Sequence, residues 1–425
     1  MTDVHTTAGS QAPPLAVGPL AKGSRASPAL SRALLCVMAA SAGFGIANLY
    51  YDQPLLDQMG RSLGASAAQM GFAPTLTQIG YSLGMLLLVP LGDMLERRQL
   101  VLLFALLTAL LSAGLAASMT TPMLLGMSFL LGLANITPQL LVPFAARLSA
   151  PEDRGRVVGL MVSGVLLGVL LSRTVAGFVG ATFGWRAMFG LAAVIMVVIF
   201  GVLFLTLPVT KPSYDGRYGG LLHSVWAIVR DQPVLREACL FGGMLFGAFM
   251  VFWANLIHLL SGAPFHLGPR AVGLYGLLGA GAALTSPIVG RVAGKGAART
   301  IAGVMVLLTI ASFGVFWIGR ASLIWIGVGV LAMDLGVQLG HVSNQTRILN
   351  LAPDAQSRIQ TAYMFCYFGG GGIGAALGSL AWGRWGWNGV CLTAIGMLVL
   401  PLVRWMMPLR VQQLAESKVI RHNIT

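Results

Sequence analysis

The sequence predicts an all-α integral membrane protein with twelve transmembrane helices, arranged as two six-helix bundles related by a pseudo-two-fold axis. Three observations predict it. First, 56% of the 425 residues are hydrophobic, only 9% are charged and the mean hydropathy is +0.80. A soluble domain of that length has too little polar surface to cover so much apolar side chain, so lipid must be the solvent. Second, the apolar residues fall into twelve blocks of about 20 residues or more, each long enough for a helix to cross a hydrocarbon core of roughly 30 Å. Third, the second half of the chain repeats the first. Pro151 and Pro353, Arg156 and Arg358, and Trp185 and Trp387 are each 202 residues apart, and each set brackets one glycine-rich apolar block. A weaker echo pairs Pro90 with Pro287. Many secondary transporters are built from two such halves with the solute site between them.

The blocks run near 32–54, 69–91, 99–118, 122–146, 157–180, 187–208, 237–260, 271–293, 300–319, 322–344, 359–381 and 388–408. None alternates as an outer-membrane barrel strand does, and lipid leaves helices as the other solution. Six blocks precede the polar stretch 209–236 and six follow it. This gives bundles over 32–208 and 237–408, a central loop over 209–236, and tails over 1–31 and 409–425. The first tail is polar and rich in Pro, Ala and Ser, the composition of a disordered segment.

Basic residues set the orientation. With the N-terminus in the cytoplasm, 21 Lys and Arg residues fall in cytoplasmic loops and tails, against 5 on the opposite face (Arg61, Arg186, Arg270, Arg320 and Arg384). The expectation is a multi-pass protein of the cell (inner) membrane with both termini cytoplasmic. The net charge of +14 is then a topology signal that also meets anionic lipid, not a nucleic-acid footprint. Removing the first block as a signal peptide would spoil this asymmetry, so it is read as a span. Cys36, Cys239, Cys366 and Cys391 have no metal-ligand spacing and imply no disulfide framework.

Ionisable groups in hydrocarbon cost about 2.5–3.5 kcal/mol on insertion scales, so each needs a reason. Of 13 acidic residues, Asp334 alone lies deep inside a span. Gln338, His341 and Gln345 follow at spacings of four, three and four, which is one helix face and must look onto protein or water. Desolvation disfavours a charged carboxylate, so Asp334 is a candidate proton carrier with His341 as relay or substrate contact. The alternative is a structural residue bonded to neighbouring helices. Arg173 lies in the outer half of the fifth block; it cannot shed its charge and needs an acceptor. Asp52, at similar depth, is the first candidate partner. Asp334 is the second, and contact with it across the halves would work as a gate; a fixed ion pair is the alternative. Amides and aromatics at helical spacing supply candidate cavity lining: Asn48, Tyr51, Gln78, Asn135, Gln139, Phe252, Trp253, Asn255 and Gln338. Glycines at spacings of four, such as Gly164 and Gly168 or Gly370, Gly374 and Gly378, let helices approach closely.

Gly92-Asp93 followed by Arg97-Arg98, after the second block, resembles the loop signature of the major facilitator superfamily, Gly-x-x-x-Asp-Arg-x-Gly-Arg. The resemblance extends over about residues 32–408, including Arg154-Gly155-Arg156 after the fourth block and Gly184-Trp185-Arg186 after the fifth. Asn48-Leu-Tyr-Tyr-x-Gln-Pro and Asp334-Leu-Gly-Val-Gln resemble a bacterial group near the drug:proton antiporters. Departures are Val89, Met94 and Glu96 within the signature, a fourth block without arginine, and Val169 after Gly168 where those antiporters carry proline. The resemblance implies a major facilitator fold that alternates between inward- and outward-facing states under an ion gradient. It also implies that Asp93, Arg97, Arg98, Arg154 and Arg156 latch the cytoplasmic ends of helices.

The function expected is secondary active transport of a small organic solute, with protons and the bilayer as its other partners, by proton-coupled efflux. An uptake symporter or uniporter on the same fold is the alternative. Clustered nucleophile, base and metal ligands of a membrane enzyme are missing from the sequence, as is a nucleotide-hydrolysing domain. No cofactor, metal or nucleic acid is called for, and one chain already supplies both halves, so a monomer suffices.

Overall fold

In lipid each backbone N–H must bond within its own helix, so apolar segments end only where a cap, a glycine or a protected break replaces the lost bonds. The computed structural model describes residues 31–210, 218–279, 297–349, 351 and 355–407, without the side chains of Asp93 and Leu221. The expected tails, part of the central loop and the far part of the 271–293 block lie outside the described residues. The first half of the chain gives α1 (Arg32–Ala47), α2 (Leu56–Leu63), α3 (Ala67–Met70), α4 (Phe72–Leu87), α5 (Leu91–Met94) and α6 (Arg97–Ala116). It continues with α7 (Thr121–Ala134), α8 (Thr137–Leu148), α9 (Arg154–Phe183) and α10 (Trp185–Thr206). A connecting helix, α11 (Tyr218–Asp231), leads to α12 (Pro233–Trp253), α13 (Leu256–Ser261) and α14 (269–279). The chain ends with α15 (Ala298–Ile318), α16 (Leu323–Ile348) and α17 (Gln356–Met406).

All regular structure among the described residues is helical. Among the described residues eight helical stretches are long and apolar enough to cross a membrane: α6, α7–α8, α9, α10, α12–α13, α15, α16 and α17. Twelve apolar blocks are expected from the sequence, and the difference has local causes. α17 runs for 51 residues through the last two blocks with a break at Gly386 (φ 58°). α1 and α4 are each 16 residues long, and the 271–293 block leaves the described residues after 279.

Helix starts follow the caps. Ser31 Oγ accepts from the Leu34 N–H at 3.1 Å to open α1, and Thr120 Oγ1 does the same for α7 with Pro122 in the first turn. Gly184 (φ 84°) and Gly386 (φ 58°), again 202 residues apart, make the same left-handed turn in the two halves. We refer to the two ends of the bundle as the Arg32 end and the Leu63 end.

The repeat reappears as packing. α1 crosses α9 where Gly43 meets Gly164 and Gly168; α12 crosses the first arm of α17 where Gly243 meets Gly370 and Gly247 meets Gly374. A Cβ at Gly168 or Gly370 would overlap a backbone carbonyl of the facing helix. The halves touch along α4 and α17, where Ser82 Oγ donates to the Phe365 carbonyl at 2.8 Å. Towards the Leu63 end they touch along α9 and α14. There Thr174 Oγ1 donates to the Gly273 carbonyl at 2.8 Å, and Arg270 donates to Thr182 Oγ1 at 3.0 Å. At the Arg32 end a cleft of about 200 Å³ separates Val89, Arg97 and Gln139 of the first half from Val225, Arg358 and Thr361 of the second.

Gly168→Ala and Gly370→Ala should each lower the melting temperature in detergent, by an overpacking cost of about 1–3 kcal/mol. Gly190→Ala, whose Cβ meets open space, should not lower it. Equal melting of all three variants would contradict the crossing.

Candidate functional site

Arg173 sits on α9 at 2% exposure. A charge this deep in a membrane protein must be met by fixed dipoles or counter-charges. Its Nε donates to Gln53 Oε1 at 2.6 Å. The guanidinium carbon lies 4.8 Å from the Tyr50 ring of the first half, and 4.3 Å and 5.3 Å from the Trp253 and Phe249 rings of the second. Ring faces attract a cation most strongly where water is excluded. Among the described residues no carboxylate oxygen forms an ion pair with Arg173 within 4.0 Å. Asp334 and Asp52 act on it at longer range. Both acids are buried, at 9% and 5% exposure. Among the described residues Asp334 Oδ1 and Arg173 Nη2 have no hydrogen-bond partner, and the Trp253 indole stands close enough to the Asp334 carboxyl group to act on it.

The fold builds this cluster from breaks and glycines. α1 ends at Ala47, and a 3-10 turn over Gln53–Leu55 with Pro54 in it re-aims the chain. Gln53 therefore faces Arg173, in place of the direct Asp52 contact expected from depth alone. Gln53 Nε2 also reaches Met250 Sδ of α12 at 3.5 Å, so this amide touches both halves. On α14, Gly276 lies against the Arg173 side chain and Gly279 leaves room for Asp334 Oδ2.

Below Asp334, Gln338 is half-buried, and His341 turns towards α17. His341 Nδ1 is 3.0 Å from the Tyr363 hydroxyl, its Nε2 is 3.3 Å from Gln345 Nε2, and its ring centre is 4.6 Å from that of Tyr367. Tyr367 stacks on Phe246, Phe246 on Phe249, and Phe249 faces Arg173. An aromatic row thus links the histidine to the guanidinium.

Several cavity candidates have local duties. Asn48 Nδ2 donates to the Phe44 and Gly45 carbonyls, Asn135 Nδ2 to the Gly45 carbonyl and Asn255 Nδ2 to the Val251 carbonyl. Each asparagine stands at a break: after α1, between α7 and α8, and between α12 and α13. The amides satisfy carbonyls that a broken helix leaves in apolar surroundings. Phe252 stacks on Phe316 at 4.3 Å and is fully buried, so it packs rather than lines. Tyr51 is buried in the same core. Gln139 donates to the Tyr81 hydroxyl at 2.9 Å and borders the cleft. Gln78 is fully buried with neither amide atom bonded. Of the latch candidates, Arg97 donates from Nε to the Gly92 carbonyl at 2.8 Å, and Arg98 donates to the Phe204 carbonyl at 2.7 Å. Arg154 and Arg156 are exposed, and the Asp93 side chain lies outside the description.

A second charge cluster lies at the Arg32 end. Glu237 of α12, at 3% exposure, meets Arg347 at 2.7 Å, Arg299 at 2.8 Å and Arg404 at 3.0 Å. One carboxylate thereby ties α12, α15, α16 and α17. At a span end it reads as an ordinary solvated acid, and only the fold brings the three arginines to it. Gln53, Tyr50 and Phe249 were also missed, because their direction depends on the turn after α1. Among the described residues no group of three or more His, Cys, Asp or Glu side chains could hold a metal ion.

This arrangement, helices crossing on glycines around one buried ionic cluster shared by two chain halves, is that of a multi-pass helical membrane protein, and the sequence family and the relatives make it a transporter. The chain belongs to the major facilitator superfamily, whose sequence profile matches residues 33–375. It is 39% identical over 376 residues to the Uncharacterized transporter YgaY of Escherichia coli O157:H7, covering 88% of this chain and 95% of that one. It is 27% identical over 373 residues to the Probable sugar efflux transporter of Helicobacter pylori (strain ATCC 700392 / 26695), covering 83% and 89%. Its fold is similar to that of a POT family transporter in complex with 5-aminolevulinic acid, with a TM-score of 0.72, 14% identity and coverage of 88% and 95%.

Glu237→Gln should lower the melting temperature sharply, because three arginines then face no anion; breaking a buried pair costs about 3–5 kcal/mol. Glu237→Gln with Arg347→Gln should recover part of the loss. A single variant that melts like wild type would show the knot to be idle.

Proposed function

We propose that this protein moves a small organic solute by alternating access, coupled to protons and directed outwards. On this reading residues 32–208 and 237–408 form two six-helix bundles, twelve spans in all, related by a pseudo-two-fold axis. Both termini face the cytoplasm across a cell (inner) membrane, and one chain suffices. The Leu63 end is then extracellular and the Arg32 end cytoplasmic. The observation that carries the proposal is the burial of Arg173 from one half against the Trp253 and Phe249 rings of the other, with Asp334 of that other half acting on it at longer range. A guanidinium keeps its charge while a buried carboxylate can gain or lose a proton, so the contact holding the halves together differs between the two states of Asp334. This is the differential interaction that a proton needs to shift a conformational equilibrium.

The closed α9–α14 contact and the cleft bordered by Arg97, Gln139 and Arg358 fit an inward-facing or occluded state. Arg97 and Arg98, with Asp93, Arg154 and Arg156 nearby in sequence, serve as the cytoplasmic latch that forms when this cleft closes. Gln78, Gln139, Gln338, His341 and Trp253 are the polar groups left to meet solute, since Asn48, Asn135 and Asn255 serve the backbone. Export is favoured by relatives named as probable sugar efflux transporters.

Asp334→Asn should abolish proton-coupled flux in proteoliposomes while the protein stays folded. Wild-type coupling in that variant would remove Asp334 from the mechanism. Arg173→Ala should lose transport, and Asp334→Asn in the same chain should restore stability, because the orphaned buried charge is then gone. A double-mutant cycle without coupling energy would rule the pair out.

A further inference from the structure

The cluster holds its cation in an unusual way. Two buried carboxylates act on Arg173, yet among the described residues it pairs with neither and its one hydrogen bond goes to a neutral amide. We propose that Gln53 is the positioning residue of the coupling site: it anchors Arg173 over the Trp253 ring, apart from Asp334, and so sets how readily Asp334 takes a proton. The inference rests on the reading of Asp334 as the proton site.

Geometry supports it at each step. Gln53 is fully buried, and both ends of its amide are engaged, Oε1 by Arg173 Nε at 2.6 Å and Nε2 by Met250 Sδ at 3.5 Å. The first contact fixes the second, since a guanidinium only donates and so takes the amide oxygen, which turns the amide N–H towards α12. Pro54 and the 3-10 turn deny the backbone freedom to retreat. Three rings then hold the guanidinium from the sides. A direct Arg–Asp pair would be stronger than this hydrogen bond and would keep the carboxylate ionised. The neutral anchor leaves Asp334 with an unpartnered oxygen. It also leaves Arg173 able to exchange partners when the halves separate, which a fixed ion pair would resist.

The groups that act on Asp334 or its neighbours come from four sides. Arg173 comes from α9, Tyr50 and Asp52 from the segment after α1, the Trp253 indole from α12 and Tyr367 from α17. Among the described residues Arg173 is the cation of this set. The Arg173 side chain lies against Gly276 of α14 and Asp334 Oδ2 against Gly279, one helical turn away, so a released guanidinium has Asp334 beside it.

Two substitutions of similar length therefore have opposite effects. Gln53→Met releases Arg173 to Asp334 and stabilises the carboxylate. Gln53→Glu clamps Arg173 in an ion pair of its own and withdraws that support. The test is an infrared titration of the protonated-carboxyl band in full-length protein reconstituted in nanodiscs, with Asp334→Asn identifying the band. Relative to wild type, the midpoint should move about one pH unit or more to acid in Gln53→Met, and to alkaline in Gln53→Glu. Each variant has its own sign, so either one that folds decides. An unmoved midpoint, or a shift of both variants in the same direction, overturns the role of Gln53. A band untouched by Asp334→Asn instead overturns the proton site on which the inference stands.

Discussion

The structure depends on one electrostatic constraint: a guanidinium that cannot neutralise itself is buried among apolar helices beside two carboxylates that can. Everything around it answers to that cost. The aromatic faces of Tyr50, Phe249 and Trp253 supply negative potential without supplying charge. Gln53 supplies a dipole, and Asp52 and Asp334 supply charge from farther away. Such a cluster is balanced differently with and without one added proton. Because its members come from both halves of the chain, the balance is also an adhesive between those halves. On the proposed mechanism, charge and shape are coupled there by placement alone.

The glycine crossings make this placement available. Helices that meet on Gly43 and Gly168, or on Gly243 and Gly370, come so close that no side chain separates their backbones. Close crossing tightens each half and leaves its polar residues to point at the seam. The arginine knot on Glu237 does related work at the Arg32 end, joining four helices of the second half into a unit. Two stiff halves with one electrostatically sensitive seam are the mechanical requirement for rocking, since a soft bundle would absorb the change locally.

Much of this was legible in the sequence, for physical reasons. Hydrocarbon is so unforgiving that composition alone requires membrane-crossing helices, and Asp334 and Arg173 stand out because charge in a span is rare. The repeat offset between Trp185 and Trp387 marks the two halves, and Gly184 and Gly386, just before those tryptophans, both adopt positive φ. What sequence could not supply is direction. Asn48, Asn135 and Asn255 have the spacing of a polar lining, yet each spends its amide N–H on a carbonyl at a helix break. A break reverses the meaning of a polar residue, and helical periodicity assumes there is none. Gln53 was hidden by the same cause, since only the 3-10 turn after α1 aims it at Arg173 in place of Asp52.

The central claim is that the seam between the halves opens and closes with a protonation event in the buried cluster. Its most direct test is a pulsed-dipolar distance measurement between spin labels at Phe183 and Ala263, on opposite sides of the α9–α14 contact. The labels would be placed in a chain whose four native cysteines are replaced. A short and a long distance should both be present, with populations that exchange as pH changes in the otherwise unaltered protein and stay fixed in Asp334→Asn. One distance at every pH, or the same exchange in both chains, would contradict it.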